Sequence, residues 1–86
     1  MKQLTDLPNI GKMLSDKLNI IGVKNEQDLR KIGSEKAIIK ISTIENNGAC
    51  LNMLYALEGA IQGIRWHGLD KEKKLELKEY YRMINK

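Results

Sequence analysis

Phenylalanine is absent from this 86-residue chain, tryptophan occurs once, and three tyrosines complete the aromatic set. A core must then be assembled from Leu, Ile and Met, with little aromatic bulk. A single cysteine, Cys50, excludes an internal disulfide, and no metal-ligand spacing surrounds it. Its place at the start of an apolar helical pattern predicts burial, which would leave the thiol inert. No segment approaches the ~18 apolar residues that a membrane span needs, and residues 1–6 carry no signal-type apolar run. A cytoplasmic protein without membrane contact is expected. Clustered carboxylates are missing, as is a Gly-rich phosphate loop followed by Lys-Ser/Thr. Cys50 with His67 is the one nucleophile–base pair of its type. No enzyme activity, no metal and no cofactor is expected.

Strong charge of one sign is also lacking. The net charge is +4, of which residues 1–43 hold +3 and residues 44–86 hold +1. That permits nucleic-acid binding without demanding it, since dedicated binders are usually more basic. A solvated surface of mixed charge is the plainer alternative. Hydrophobic residues at 42% suffice for one small core, and charged residues at 30% for its surface.

The only proline opens the most informative stretch, Leu7-Pro8-Asn9-Ile10-Gly11. Pro8 fixes its own φ and disfavours helix at Leu7. Asn9 and Gly11 are the residue types that most easily take positive φ. A helical pattern follows, with Leu14, Leu18 and Ile21 on one stripe. The order is a short helical turn from Leu4, a tight hairpin, and a second helix whose first amides are free. It resembles the helix-hairpin-helix motif, whose usual turn reads apolar-x-Gly-apolar-Gly, with Asn9 standing at the first glycine. That resemblance implies a nucleic-acid phosphate held by the backbone amides of Ile10, Gly11, Lys12 and Met13. It also implies a monovalent cation site on the carbonyls of Thr5, Leu7 and Ile10.

Further along, Gly22 reads as a helix stop, with Val23 making an apolar contact back. Asn25 caps the next helix with Asp28 in a capping box, Leu29 and Ile32 face inward, and Gly33 closes it. Residues 34–45 mix β-branched isoleucines with a helical spacing of Ala37, Ile41 and Ile44. Ser34 is a good cap and no second strand exists to pair with, so a helix is expected. Asn46-Asn47-Gly48 reads as a turn. The longest helix is expected over 49–64, with Leu54, Leu57, Ile61 and Ile64 on one side. Ala56, Gly59, Ala60 and Gly63 form a stripe of small residues on another side, suited to close helix contact. Trp66-His67-Gly68 breaks the pattern, Trp66 as a core plug and His67 as a surface residue. Asp70 then caps a last helix over 71–84 with Leu77, Tyr80, Tyr81 and Ile84 inward.

The whole is expected to be all-α, a single compact domain of five or six helices, with the helix-hairpin-helix-like start over 4–33. The combination of Leu7–Gly11, Gly22-Val23, Asp28-Leu29, the run from Leu51 to Ala60 and Trp66 resembles the carboxy-terminal domain of TfoX-type competence regulators. Residues Leu54 to Ala60 with Trp66 are the specific part, and the likeness spans about Leu4 to Leu77. It implies a small helical domain associated with regulation of DNA uptake. TfoX regulators usually carry a further amino-terminal domain; this chain begins at Met1 without room for one, so the stand-alone form is expected. The leading site is the hairpin: Asn9, Ile10, Gly11, Lys12, Met13 and Lys17, against weak, sequence-independent duplex DNA. The alternative partner is another protein, or a second copy joined at the small-residue face or the Tyr80/Tyr81 end.

Overall fold

Pro8 and the glycines decide where helices stop. The computed structural model describes residues 3–44 and 50–84. A 3-10 turn, Leu4–Asp6, opens the chain, followed by α1 (Lys12–Ile20), α2 (Glu26–Ile44), α3 (Leu51–Gln62), a second 3-10 turn (Trp66–Gly68) and α4 (Lys71–Ile84). The described residues contain no strand, so the isoleucine-rich run is helical as expected. They hold four α-helices and two 3-10 turns, not five or six helices. The difference arises at two places. Residues 26–44 run on as one element, although Gly33, at φ 81 and ψ 160, is not helical and divides it into the two helical segments expected. The opening arm is three residues of 3-10 turn; an isolated turn of that length cannot repay the entropy of helix nucleation. The first helix of a helix-hairpin-helix motif is therefore not among these elements.

α1 ends as its sequence requires. Gly22 adopts φ 94, and Val23 N–H bonds Leu18 C=O at 2.9 Å while Gly22 N–H bonds Asn19 C=O at 3.1 Å. This is the Schellman arrangement, with Val23 and Leu18 both buried. Asn25 caps α2 by accepting the Asp28 N–H at 2.9 Å. Asp28 reaches one residue further than a capping box, accepting the Lys24 N–H at 3.0 Å.

α3 is shorter than the expected 49–64. Residue 49 and the expected Asn46-Asn47-Gly48 turn lie outside the described residues. At the other end Gly63 (φ 78) is a left-handed cap rather than a helical residue, with Ile64 N–H on Gly59 C=O at 2.9 Å. Ile64 then faces out, 37% exposed. α3 is nevertheless the centre: α2, α4 and the second 3-10 turn all pack on it. Leu54, Leu57 and Ala60 are fully buried, together with Leu18, Leu29, Ile38, Ile41 and Leu77. α4 coincides with the expected last helix, and Tyr80, Tyr81 and Ile84 pack partly buried beside Leu77. The Cα radius of gyration, 11.8 Å, is that of a compact chain of this length.

Three side chains behave differently from expectation. Cys50 is exposed, because it precedes α3 as its cap instead of entering the apolar face. Ser34 is buried and donates its hydroxyl to Glu58 Oε1 at 2.8 Å instead of capping a helix. Trp66 is half-buried against the core rather than enclosed by it.

Candidate functional site

The Leu7–Gly11 turn is closed by Ile10 N–H on Leu7 C=O at 3.4 Å, with Pro8 at its second position and Asn9 at its third. Asn9 takes φ 70, the one non-glycine positive φ among the described residues. That is the pattern of a type II turn, which wants Pro then Gly or Asn. Leu4, Leu7 and Ile10 are buried, so three apolar side chains pin this stretch to the core.

The Asn9 side chain points into the fold, not toward solvent. Its Nδ2 donates to Ile64 C=O at 2.9 Å and to Ala56 C=O at 3.4 Å, and its Oδ1 accepts the Trp66 N–H at 3.1 Å. These groups lie along α3 and just past its cap, so the Asn9 amide locks the amino-terminal turn to the carboxy-terminal end of the central helix. Gly59 makes the approach possible. A Cβ there would stand 2.6 Å from Asn9 Nδ2 and 2.8 Å from Ile64 O. The small-residue stripe thus accommodates the Asn9 turn within one chain. Gly63, in the left-handed cap, is not part of it.

Of the six residues expected at the site, the structure splits them into supports and surface. Asn9 and Ile10 are supports, engaged inside the molecule. Gly11, Lys12 and Met13 are exposed at the start of α1, and Lys17 is half-buried one turn on. Gly11 caps α1 with φ −97 and ψ −172, an extended conformation open to any residue, and no side chain bonds the first amides. Lys12 pairs with Asp16 at 3.1 Å, both side chains well exposed, an ion pair of little strength. Of the three carbonyls expected to hold a cation, that of Leu7 already accepts the Ile10 N–H. Among the described residues no three His, Cys, Asp or Glu side chains converge on a metal-sized site.

Trp66 lies between neighbours rather than offering a free face. Tyr55 stacks at 5.7 Å, His67 at 3.9 Å, and Lys74 Nζ stands 5.7 Å from its ring. On another side, an open cleft between the Gly33 bend, α3 and α4 holds Ser34, Glu35, Glu58, Lys73 and Glu76. The Lys73 ammonium donates to Glu76 at 2.8 Å; that bond, with the nearby Glu58 and Glu35 carboxylates, holds its pKa above the ordinary lysine value. The Ser34–Glu58 bond had no local signature, because its partners sit on different helices.

The family model for the TfoX C-terminal domain matches residues 1–81. Protein Sxy of Escherichia coli (strain K12) is 32% identical over 79 residues, covering 92% of this chain and 37% of Sxy. The chain therefore spans little more than a third of that relative's length. Two crystal structures from Listeria monocytogenes share the fold. An uncharacterised protein in a triclinic form superposes with a TM-score of 0.94 at 45% identity, over 98% of this chain and 94% of that one. A protein of unknown function in a tetragonal form does so with a TM-score of 0.89 at 46% identity, over 93% and 98%.

Proposed function

This chain belongs to the family of TfoX C-terminal domains, and from that premise we propose that it is a non-enzymatic regulatory module of the competence-regulator type that touches duplex DNA through its backbone at the start of α1. The observation that carries this reading is the glycine-capped, solvent-open end of α1, held in place by the Asn9 bonds to Ile64 and Trp66 just past α3. Uncapped amides at a helix start attract anions, because the helix dipole adds to the free N–H groups. Lys12 brings positive charge to that end, and Lys17 adds another in the last turn of the same helix, on the half of the chain with the +3 excess. The contact amides are those at Gly11, Lys12 and Met13, while Asn9 and Ile10 hold the turn. Such a contact involves two or three phosphates and reads no bases.

Anisotropy titration of duplex DNA at two salt concentrations tests it. With about two or three phosphates neutralised, log K should fall against log[salt] with a slope of roughly −2 to −3, and Kd should lie near 10⁻⁴ to 10⁻⁶ M. Scrambling the duplex sequence should change little. Absence of binding at about 50 mM salt, where phosphate contacts are strongest, would leave the turn as a packing element. The second reading, a protein-interaction module, is favoured by one observation: Met13 and Ile20 on α1 are 75% and 65% exposed.

A further inference from the structure

The charges on α4 are sorted by sign. At ~100° per residue, Lys71, Lys74, Lys78 and Arg82 fall within an arc of about 80°, and Glu72, Glu76 and Glu79 within another of about 60°. Leu77 and Ile84, packed on the core, lie between the two arcs. Lysines and glutamates interleaved along the chain are thus collected on separate flanks of the helix. Glu76 takes Lys73 at 2.8 Å and Glu79 takes Arg82 at 3.3 Å. Lys71, Lys74 and Lys78 have no carboxylate partner among the described residues. Asp70, exposed just before the helix, subtracts one charge. A flank with net positive charge remains.

The amino-terminal end of this flank meets the one tryptophan of the chain. Lys74 Nζ stands 5.7 Å from the Trp66 ring and donates to His67 C=O at 3.4 Å. Tyr55 Oη donates to Lys74 C=O at 3.4 Å, which ties the rings to α4. Tyr55, Trp66 and His67 form a row of stacked rings, with centroids 5.7 and 3.9 Å apart. The row starts half-buried on α3 and ends at His67, which is exposed. Arg65, also exposed and without a carboxylate partner among the described residues, adjoins it. We infer that the Lys71–Lys74–Lys78 flank of α4 and this ring row bind a single strand of nucleic acid, with one base stacked on His67. Unstacked bases settle on aromatic side chains, histidine included, while a basic track follows their phosphates. A duplex satisfies the lysines but has no free base face to offer the rings. An acidic peptide likewise uses the charge and leaves the ring row idle.

This surface is separate from the start of α1, and the inference does not rest on the duplex contact proposed there. Because Trp66 is the sole tryptophan, its fluorescence reports on the ring row directly. Titration with an oligothymidylate of about 15 nucleotides, which does not pair with itself, should quench Trp66. Three or four neutralised phosphates give a log K against log[salt] slope of roughly −2 to −3 for a single strand. A duplex of the same length should leave Trp66 unquenched, so either binding can fail while the other stands. His67→Leu keeps Trp66 covered but removes the π-face, and should weaken single-strand binding by about five-fold or more. His67→Tyr should restore it to at least the parent affinity. Lys78→Gln, far from the rings, should reduce the magnitude of the slope by about 0.7. Thermal melts establish that each variant is folded. An unquenched Trp66 at about 50 mM salt, equal quenching by the duplex or by polyglutamate, or a folded His67→Leu variant that binds like the parent would overturn the assignment.

Discussion

Asn9 meets two demands that no other residue type meets together. Its backbone needs φ 70, which glycine would adopt more cheaply. Its amide makes bonds to Ile64, Ala56 and Trp66 that glycine cannot make. Asn9→Gly should therefore cost about 1–3 kcal/mol by leaving part-buried backbone groups unpaired. Asn9→Ala should cost more, because it adds the strain of a left-handed alanine. Urea denaturation should rank parent above Asn9→Gly above Asn9→Ala; a glycine variant as stable as the parent would refute the side-chain role. Gly59→Ala should lose about 1–3 kcal/mol, since its Cβ meets the Asn9 amide and the Ile64 carbonyl. Combined with Asn9→Gly, its cost should be less than the sum, as one of the two clashes disappears. The positive φ of Asn9 was legible because it is local, set by Pro8 before it. The partners of its side chain lie 47 to 57 residues away and leave no local trace.

Helix ends were read well where a glycine ends an apolar pattern and poorly where the pattern runs on. Gly22 and Gly33 stop or bend their helices as expected, both at positive φ. Gly63 was read as helical because Ile64 beyond it continues the apolar spacing. An apolar residue just past the glycine is, however, what a Schellman cap uses, so periodicity alone misplaces that end. The two extremes at this scale are Gly33 and Gly11. Gly33, at φ 81 and ψ 160, sits in a region essentially confined to glycine. Gly33→Ala should destabilise the fold by about 1–3 kcal/mol. Gly11 has an ordinary φ and open space where a Cβ would go, so Gly11→Ala should change stability by less than about 1 kcal/mol. Thermal melts of the two variants check this, and equal losses would contradict the account of the bend.

For the molecule as a whole, two titrations point the same way. The Glu76 bond raises Lys73 above 10.5, and burial with the Glu35 charge raises Tyr80 above 10.0. In both cases the folded state keeps its proton longer than the unfolded chain. The Lys73 contribution is whole below 10.5 and fades as pH climbs through its folded value. Tyr80 ionises first in the unfolded chain, which favours unfolding above 10.0. Stability should fall in the alkaline range, and a denaturation midpoint at about pH 11 equal to that at pH 8 would contradict it. The all-α class and the family were legible in the chain because they rest on periodicity, stops and one distinctive run. The division of the hairpin residues into supports and surface was not, since it depends on how the first and last thirds of the fold meet. The most direct measurement of the functional claim is the salt dependence of duplex DNA binding by the parent and by Lys12→Ala, side by side. The account predicts a parent slope near −2 to −3 that loses about one unit of magnitude in the variant, at unchanged thermal stability. Identical slopes for the two proteins, or no binding by the parent at about 50 mM salt, would contradict it.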